Sequence, residues 1–113
     1  MFDGIKNLAN LPQLMAKARE MQTKMQQVQQ ELEQKQVSAD SGGGMVSAVV
    51  NGKLQVVKIR IDKSKVDVND TEMLEDLVVA AISAAQIKAA DLIKQEMQKA
   101  AGDLGIPPGA LPI

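Results

Sequence analysis

The chain has 113 residues with no Cys, His, Trp or Tyr and a single aromatic, Phe2, so it can build one small domain whose core rests on Leu, Ile, Val, Met and Ala. The missing Cys and His exclude disulfides, thiolate metal sites and the usual general base. A formal charge of −1 is the reverse of a nucleic-acid binder's basic footprint. That charge is unevenly spread: residues 1–36 and 37–70 each carry five Lys/Arg against four Asp/Glu, while residues 71–113 carry three against six.

Residues 1–14 show neither the continuous apolar core nor the cleavage pattern of a signal peptide. Pro12 suits the first turn of a helix, and Asn10 is placed to cap it. From there Leu11, Leu14, Ala18, Met21, Met25, Val28 and Leu32 alternate spacings of three and four, the a/d pattern of a coiled-coil seam. The pattern predicts a helix over residues 11–36, about 37 Å long, with one narrow apolar stripe on a Gln-rich, charged body. Such a helix needs a partner along that stripe.

Residues 37–41 read as a short edge strand, and Gly42, Gly43 and Gly44 as the turn that follows. Strands are then expected over 45–50 and 53–61, joined at Asn51-Gly52, a pair that favours a type I′ hairpin with positive φ at both residues. In the first of these, Met45 and Val49 fall on one face and Val46, Ala48 and Val50 on the other. In the second, Val57, Ile59 and Ile61 share a face, opposite Leu54, Val56, Lys58 and Arg60. This sheet is apolar on both sides and asks for cover on both, including help from a second copy.

Residues 62–70 read as a polar loop, after which Asn69 with Glu72, or Asp70 alone, caps a helix over 71–101. Leu74, Leu77, Val78, Ala81, Ala85, Ala89 and Leu92 form its stripe, which Val79, Ile82, Ile87 and Ile93 widen, so it is expected to be buried on more than one side. Ser83, Gln86, Lys88 and Asp91 interrupt its apolar run, so it does not span a bilayer, and the chain reads as cytoplasmic. Residues 1–101 form the single expected domain. Residues 102–113, with three of the four prolines, read as a disordered tail.

No catalytic constellation emerges. The triple Gly lacks the Lys-Ser/Thr pair of a phosphate loop and precedes a strand, not a helix. The acidic loop 62–70 lacks the ligand alternation and central Gly of a calcium site. Glu72, Glu75 and Asp76 complement a helix dipole and have no nucleophile beside them. Met15, Met21 and Met25 fit seam packing better than a promiscuous groove. No enzyme activity, cofactor, metal or small-molecule substrate is expected. On a helical wheel Lys17, Lys24 and Lys35, with Lys6 if it is helical, fall near one line beside the seam. They read either as a row of phosphate contacts or as the flanking charge of a coiled coil, with Glu20 and Glu31 nearby weakening the row. Aromatics that would stack on single strands are absent from this row, and a membrane-surface role lacks aromatic anchors and a strong basic face.

Several segments together resemble the YbaB/EbfC family of bacterial nucleoid-associated proteins across nearly the whole chain. They are Leu14-Met15, then Met21-Gln22-Thr23-Lys24-Met25-Gln26, then Gly42-Gly43-Gly44-Met45-Val46 leading to Asn51-Gly52. Lys58-Ile59-Arg60-Ile61-Asp62 follows, then Met73-Leu74-Glu75-Asp76-Leu77-Val78-Val79-Ala80-Ala81 and Ile106-Pro107-Pro108-Gly109. The resemblance implies an α+β fold in which a long N-terminal helix, a three-stranded antiparallel sheet and a C-terminal helix form an intertwined, tweezer-like homodimer. It also implies duplex DNA binding, mainly to backbone phosphates and with little sequence specificity, in the nucleoid, with effects on chromosome organisation and gene expression.

Lys24 matches a basic position of the family's first helix, Lys88 one of two adjacent basic positions in the last, and Arg60 a polar, often charged position of the third strand. The sequence departs from the family at Ala16, where Lys is common and Lys17 lies one step on, and at Ser47 and Ile87, often basic elsewhere. These departures imply weaker or more salt-sensitive DNA binding. The candidate DNA contacts are therefore Lys17, Arg19, Lys24 and Lys35, with Lys88, Lys94 and Lys99 secondary. The candidate dimer contacts are Val46, Ala48, Val50, Leu54, Val56, Leu77, Val78, Ala81, Ile82 and Ala85. The rival reading is a coiled-coil adaptor that binds another protein and not DNA.

Overall fold

Apolar residues at helical and at alternating spacing sort the chain into two helices around a small sheet. The computed structural model describes residues 10–105. In it α1 (Leu11–Gln34) is followed by β1 (Gln36–Ser41), β2 (Val46–Asn51), β3 (Val56–Ile61) and α2 (Thr71–Asp103). This is the α+β order expected. The strands form one antiparallel sheet in the order β1-β2-β3, so β1 and β3 are both edges.

α2 lies across one face of that sheet. Val46, Ala48 and Val50 of β2 meet Ala81, Ala85 and Ala89 of α2, and all six are completely buried within the one chain. Small residues on the helix let its backbone approach the β-branched strand closely, and Ile59, Ile61, Val37, Ala39, Leu74, Leu77, Val78 and Ile82 pack around this centre. The Ser41 hydroxyl donates to the Leu77 carbonyl at 2.6 Å, and the Lys88 ammonium to the Ser38 carbonyl at 2.9 Å, tying α2 to β1. Asp70 alone caps α2, its carboxylate accepting from the Met73 N–H at 3.1 Å.

Expected cover on both faces of the sheet is not supplied by one chain. The face away from α2 carries Ser38, Asp40, Lys58 and Arg60, all exposed, with Ser47 and Val49 half-buried. α2 likewise buries one side only; Val79 and Ile87 remain 63% and 67% exposed.

Two local expectations are corrected. β3 starts at Val56, not at residue 53, and neither Asn51 nor Gly52 has positive φ; the left-handed residue is Leu54, at φ 65°. A type I′ turn is replaced by a longer loop in which the Asn51 side-chain oxygen accepts from the Lys53 and Gln55 N–H groups, at 2.9 and 3.1 Å. The reason is tertiary: the Gly52 N–H donates to the Leu32 carbonyl at the end of α1, at 2.9 Å, and that approach dictates the loop. Second, Val50 pairs with Val56 while Val49 pairs with Lys58, so Val57 is the extra residue of a bulge. Val57 does not join the core cluster that Ile59 and Ile61 pack against; it stands 49% exposed on an edge strand. The triple Gly is a turn, with positive φ at each residue.

α1 packs on the far half of α2, beyond the sheet. Val28, Leu32 and Ala100 are buried there, against Leu92, Ile93 and Met97. α1 ends at Gln34, two residues short of expectation, and Asn10 makes no side-chain cap. α2 runs two residues longer than expected, to Asp103, and Leu104 is buried after it; residues 106–113 of the expected tail, like Lys6, lie outside the described residues. The resulting molecule is a rod of 75 × 21 × 18 Å, with a radius of gyration of 21.4 Å against about 13 Å for a compact chain of this length. No helix among the described residues is long and apolar enough to cross a membrane.

Candidate nucleic-acid interface

α1 owes its exposed position to the joint at Gly52 and to the place where α2 stops. An open hollow lined by Glu20, Thr23, Lys24 and Gln27 of α1 and by Asp103 and Leu104 lies where α2 stops. Residues 11–20 are all exposed, Leu14 at 57%, so about 15 Å of α1 stands clear of the described body. The seam therefore divides: Val28 and Leu32 are buried, Met21 and Met25 half-buried, Leu11, Leu14 and Ala18 bare.

The lysines beside the seam divide with it. Lys35 donates to Glu96 at 2.7 Å, and Lys24 lies 3.5 Å from Asp103, each spanning α1 and α2. Lys17, one repeat further along the same line, and Arg19, on the opposite side of α1, enter no ion pair among the described residues. Both are exposed on the projecting end. Of the secondary candidates, Lys88 is engaged at β1, while Lys94 and Lys99 are exposed on α2. The hydrogen bond from Lys35 holds the Glu96 carboxyl below the usual glutamate range. In the loop after β3, the Ser64 hydroxyl and N–H, with Lys65 adding a weaker charge effect, hold Asp62 below the aspartate range.

Of the candidate dimer contacts, Val46, Ala48, Val50, Ala81 and Ala85 are completely enclosed by their own chain and have no surface left for a partner. Leu77, Val78 and Ile82 are half-buried in the same core. Leu54 and Val56 are open, and they are joined by three residues that sequence reasoning did not select: Val57, Val79 and Ile87. The Gln86 side chain donates to the Leu54 carbonyl at 3.2 Å, which puts the α2 flank carrying Val79, seven residues earlier, on the β3 side. The signal was present in the sequence as apolar residues lying off the α2 stripe.

The chemistry available is that of charge and apolar surface. No group of His, Cys, Asp or Glu among the described residues has the arrangement of a metal site. A half-enclosed hollow of about 180 Å³ between Met45, Lys65, Val66, Asp70, Met73 and Leu77 is smaller than pockets that take small-molecule ligands, and wider hollows of about 370–400 Å³ along α2 lie open at the surface.

Comparison with known proteins agrees with this picture. The sequence profile of the YbaB/EbfC DNA-binding family matches residues 6–104. A nucleoid-associated protein of Gemmatimonas aurantiaca is 44% identical over 98 residues, covering 87% of this chain and 94% of its own. Another, from Clostridium kluyveri, is 46% identical over 106 residues, covering 94% and 93%. The crystal structure of an uncharacterized protein from Helicobacter pylori superposes with a TM-score of 0.66 at 25% identity, over 74% of this chain and 88% of that one. A profile match across nearly the whole sequence, with relatives above 40% identity over most of both chains, places the chain in the YbaB/EbfC family of nucleoid-associated, DNA-binding proteins, which are not enzymes.

Proposed function

We propose that this protein acts in the nucleoid as a homodimer whose projecting α1 helices hold duplex DNA by its backbone phosphates, with little sequence preference. The observation that carries the reading is the cationic, uncovered end of α1, where Lys17 and Arg19 stand exposed beyond the Lys24–Asp103 ion pair. Lysine and a single arginine on a helix, without a base-reading module, favour phosphate contacts over base contacts. Lys24 and Lys35 act first as ties between α1 and α2, and Lys94 and Lys99 add exposed charge on α2. The second copy is called for by apolar surface: Leu54 in the loop before β3, Val56 and Val57 on an unpaired strand edge, and Val79 and Ile87 on the neighbouring helix. Relatives named as nucleoid-associated proteins support the cellular setting.

The test is binding to random-sequence duplex at several salt concentrations. The Lys17→Glu, Arg19→Glu variant is expected to bind more weakly on every sequence, and its plot of log K against log salt to be shallower by about 0.9 for each phosphate no longer neutralised. Binding and slope equal to those of the unaltered protein would remove α1 from the mechanism.

A further inference from the structure

We infer that the uncovered face of the sheet is a second surface for the DNA backbone, with Lys58, Arg60 and Ser47 as its phosphate-binding groups. The inference rests on the DNA-binding reading above and adds to it a site on the opposite side of the sheet from α2. Ile59 and Ile61 of β3 turn toward α2, and the strand's alternation sends Lys58 and Arg60 to the other face, where both are exposed.

The pairing register builds the surface. Arg60 stands directly across from Ser47, and Lys58 across from Val49. A cross-strand pair has its Cβ atoms about 5 Å apart, so a guanidinium and a hydroxyl, both donors to phosphate oxygens, sit side by side. Lys58 follows on the same face at about 7 Å along the strand. Two acids border this face: Asp40, across from Ser47 on β1 and two strand spacings, about 10 Å, from Arg60, and Asp62, two residues past Arg60, whose carboxylate accepts from the Ser64 hydroxyl and N–H. Neither Lys58 nor Arg60 enters an ion pair among the described residues, whereas Lys24, Lys35 and Lys53 each do. The bulge at Val57 matters here, because it pairs Val56 with Val50, which faces α2, and so takes Val56 off the face of Lys58 and Arg60. Two cations outside any ion pair and a hydroxyl, with one acid at the far edge and the other bonded into its own turn by Ser64, are the groups this face offers to a polyanion.

The experiment uses the full chain and a random-sequence duplex, with affinity measured across a salt series. The Lys58→Gln, Arg60→Gln variant changes only exposed side chains, and sedimentation is expected to give it the mass of the unaltered protein. Its salt slope is expected to be shallower by about 0.9 for each phosphate it ceases to neutralise, so by about 1.8 for each subunit that engages. The Lys63→Gln, Lys65→Gln variant removes the same charge from the loop after β3 and is expected to leave the slope near that of the unaltered protein. Equal effects of the two variants would reduce the result to diffuse charge and overturn the inference. So would an unchanged slope for Lys58→Gln, Arg60→Gln, or its dissociation into smaller species, which would make the face a protein interface. If the Lys17→Glu, Arg19→Glu variant then still binds more weakly, the role of α1 stands and only the sheet face is withdrawn. An unaltered protein that fails to bind DNA at low salt defeats both.

Discussion

Gly52 is where the angle between α1 and the sheet is set. Its N–H donates to the Leu32 carbonyl, and a Cβ built at this position would overlap that carbonyl and the Leu32 side chain. Both obstacles belong to a buried residue, so the overlap is relieved only by moving α1 or the loop. Gly52→Ala is expected to destabilise the fold by about 1–3 kcal/mol, the usual range for overpacking, measured by urea unfolding. A variant as stable as the parent would mean that the joint is loose. Glu96 supplies the pH dependence at this scale. The hydrogen bond from Lys35 lowers its pKa in the folded state, so folding gains from the ionised carboxylate. That gain is complete above the ordinary glutamate range and disappears as the pH falls through the depressed folded value. Glu96→Gln is therefore expected to remove part of the acid-side decline in stability and to leave a flatter profile in unfolding experiments run from neutral to acid pH.

At the scale of elements, one helix carries two different apolar seams. Where α1 faces α2, Leu32 is 3% exposed among Val28, Ala100, Ile93 and Met97. Leu32→Ala is expected to cost about 2–5 kcal/mol, and each kcal/mol lowers the melting temperature by about 4–8 °C in a domain near this size. Leu14 has the same residue type and belongs to the same seam but lies on the open arm, so Leu14→Ala is expected to stay within about 0.5 kcal/mol. Thermal unfolding followed by circular dichroism compares the two. Equal destabilisation would show that another element covers the arm in solution. α2 joins the two ends of the molecule, with its first half sheet-bound and its second half bound to α1.

At the scale of the whole molecule, a 75 Å rod with apolar residues along one strand edge and helix flank is material for self-association. Val79 and Ile87 point away from their own core, so charging them leaves the fold of a single chain intact. Val79→Asp, Ile87→Asp is expected to halve the mass found by sedimentation and to make α1-mediated DNA binding weaker by removing one of two arms. The unaltered protein is expected to melt at a temperature that rises with concentration, as subunit association requires. A mass unchanged by the two aspartates would exclude this flank as the contact between copies.

The parts of the fold legible in the chain are those that local periodicity specifies. Two helices, three strands, the triple-Gly turn and a cap at Asp70 follow from spacings of three and four, from alternation, and from side chains that bond their own backbone. The family was legible too, because its motifs keep their order and spacing along the chain. What the sequence did not reveal depends on contacts between residues far apart. Asn51-Gly52 has the local chemistry of a tight hairpin, yet the Leu32 carbonyl, twenty positions away, decides the loop. Lys17 and Lys24 occupy the same line on α1, and only the place where α2 ends leaves one open and brings the other to Asp103. A helix wheel fixes direction around an axis, but what lies in that direction is decided when distant elements meet.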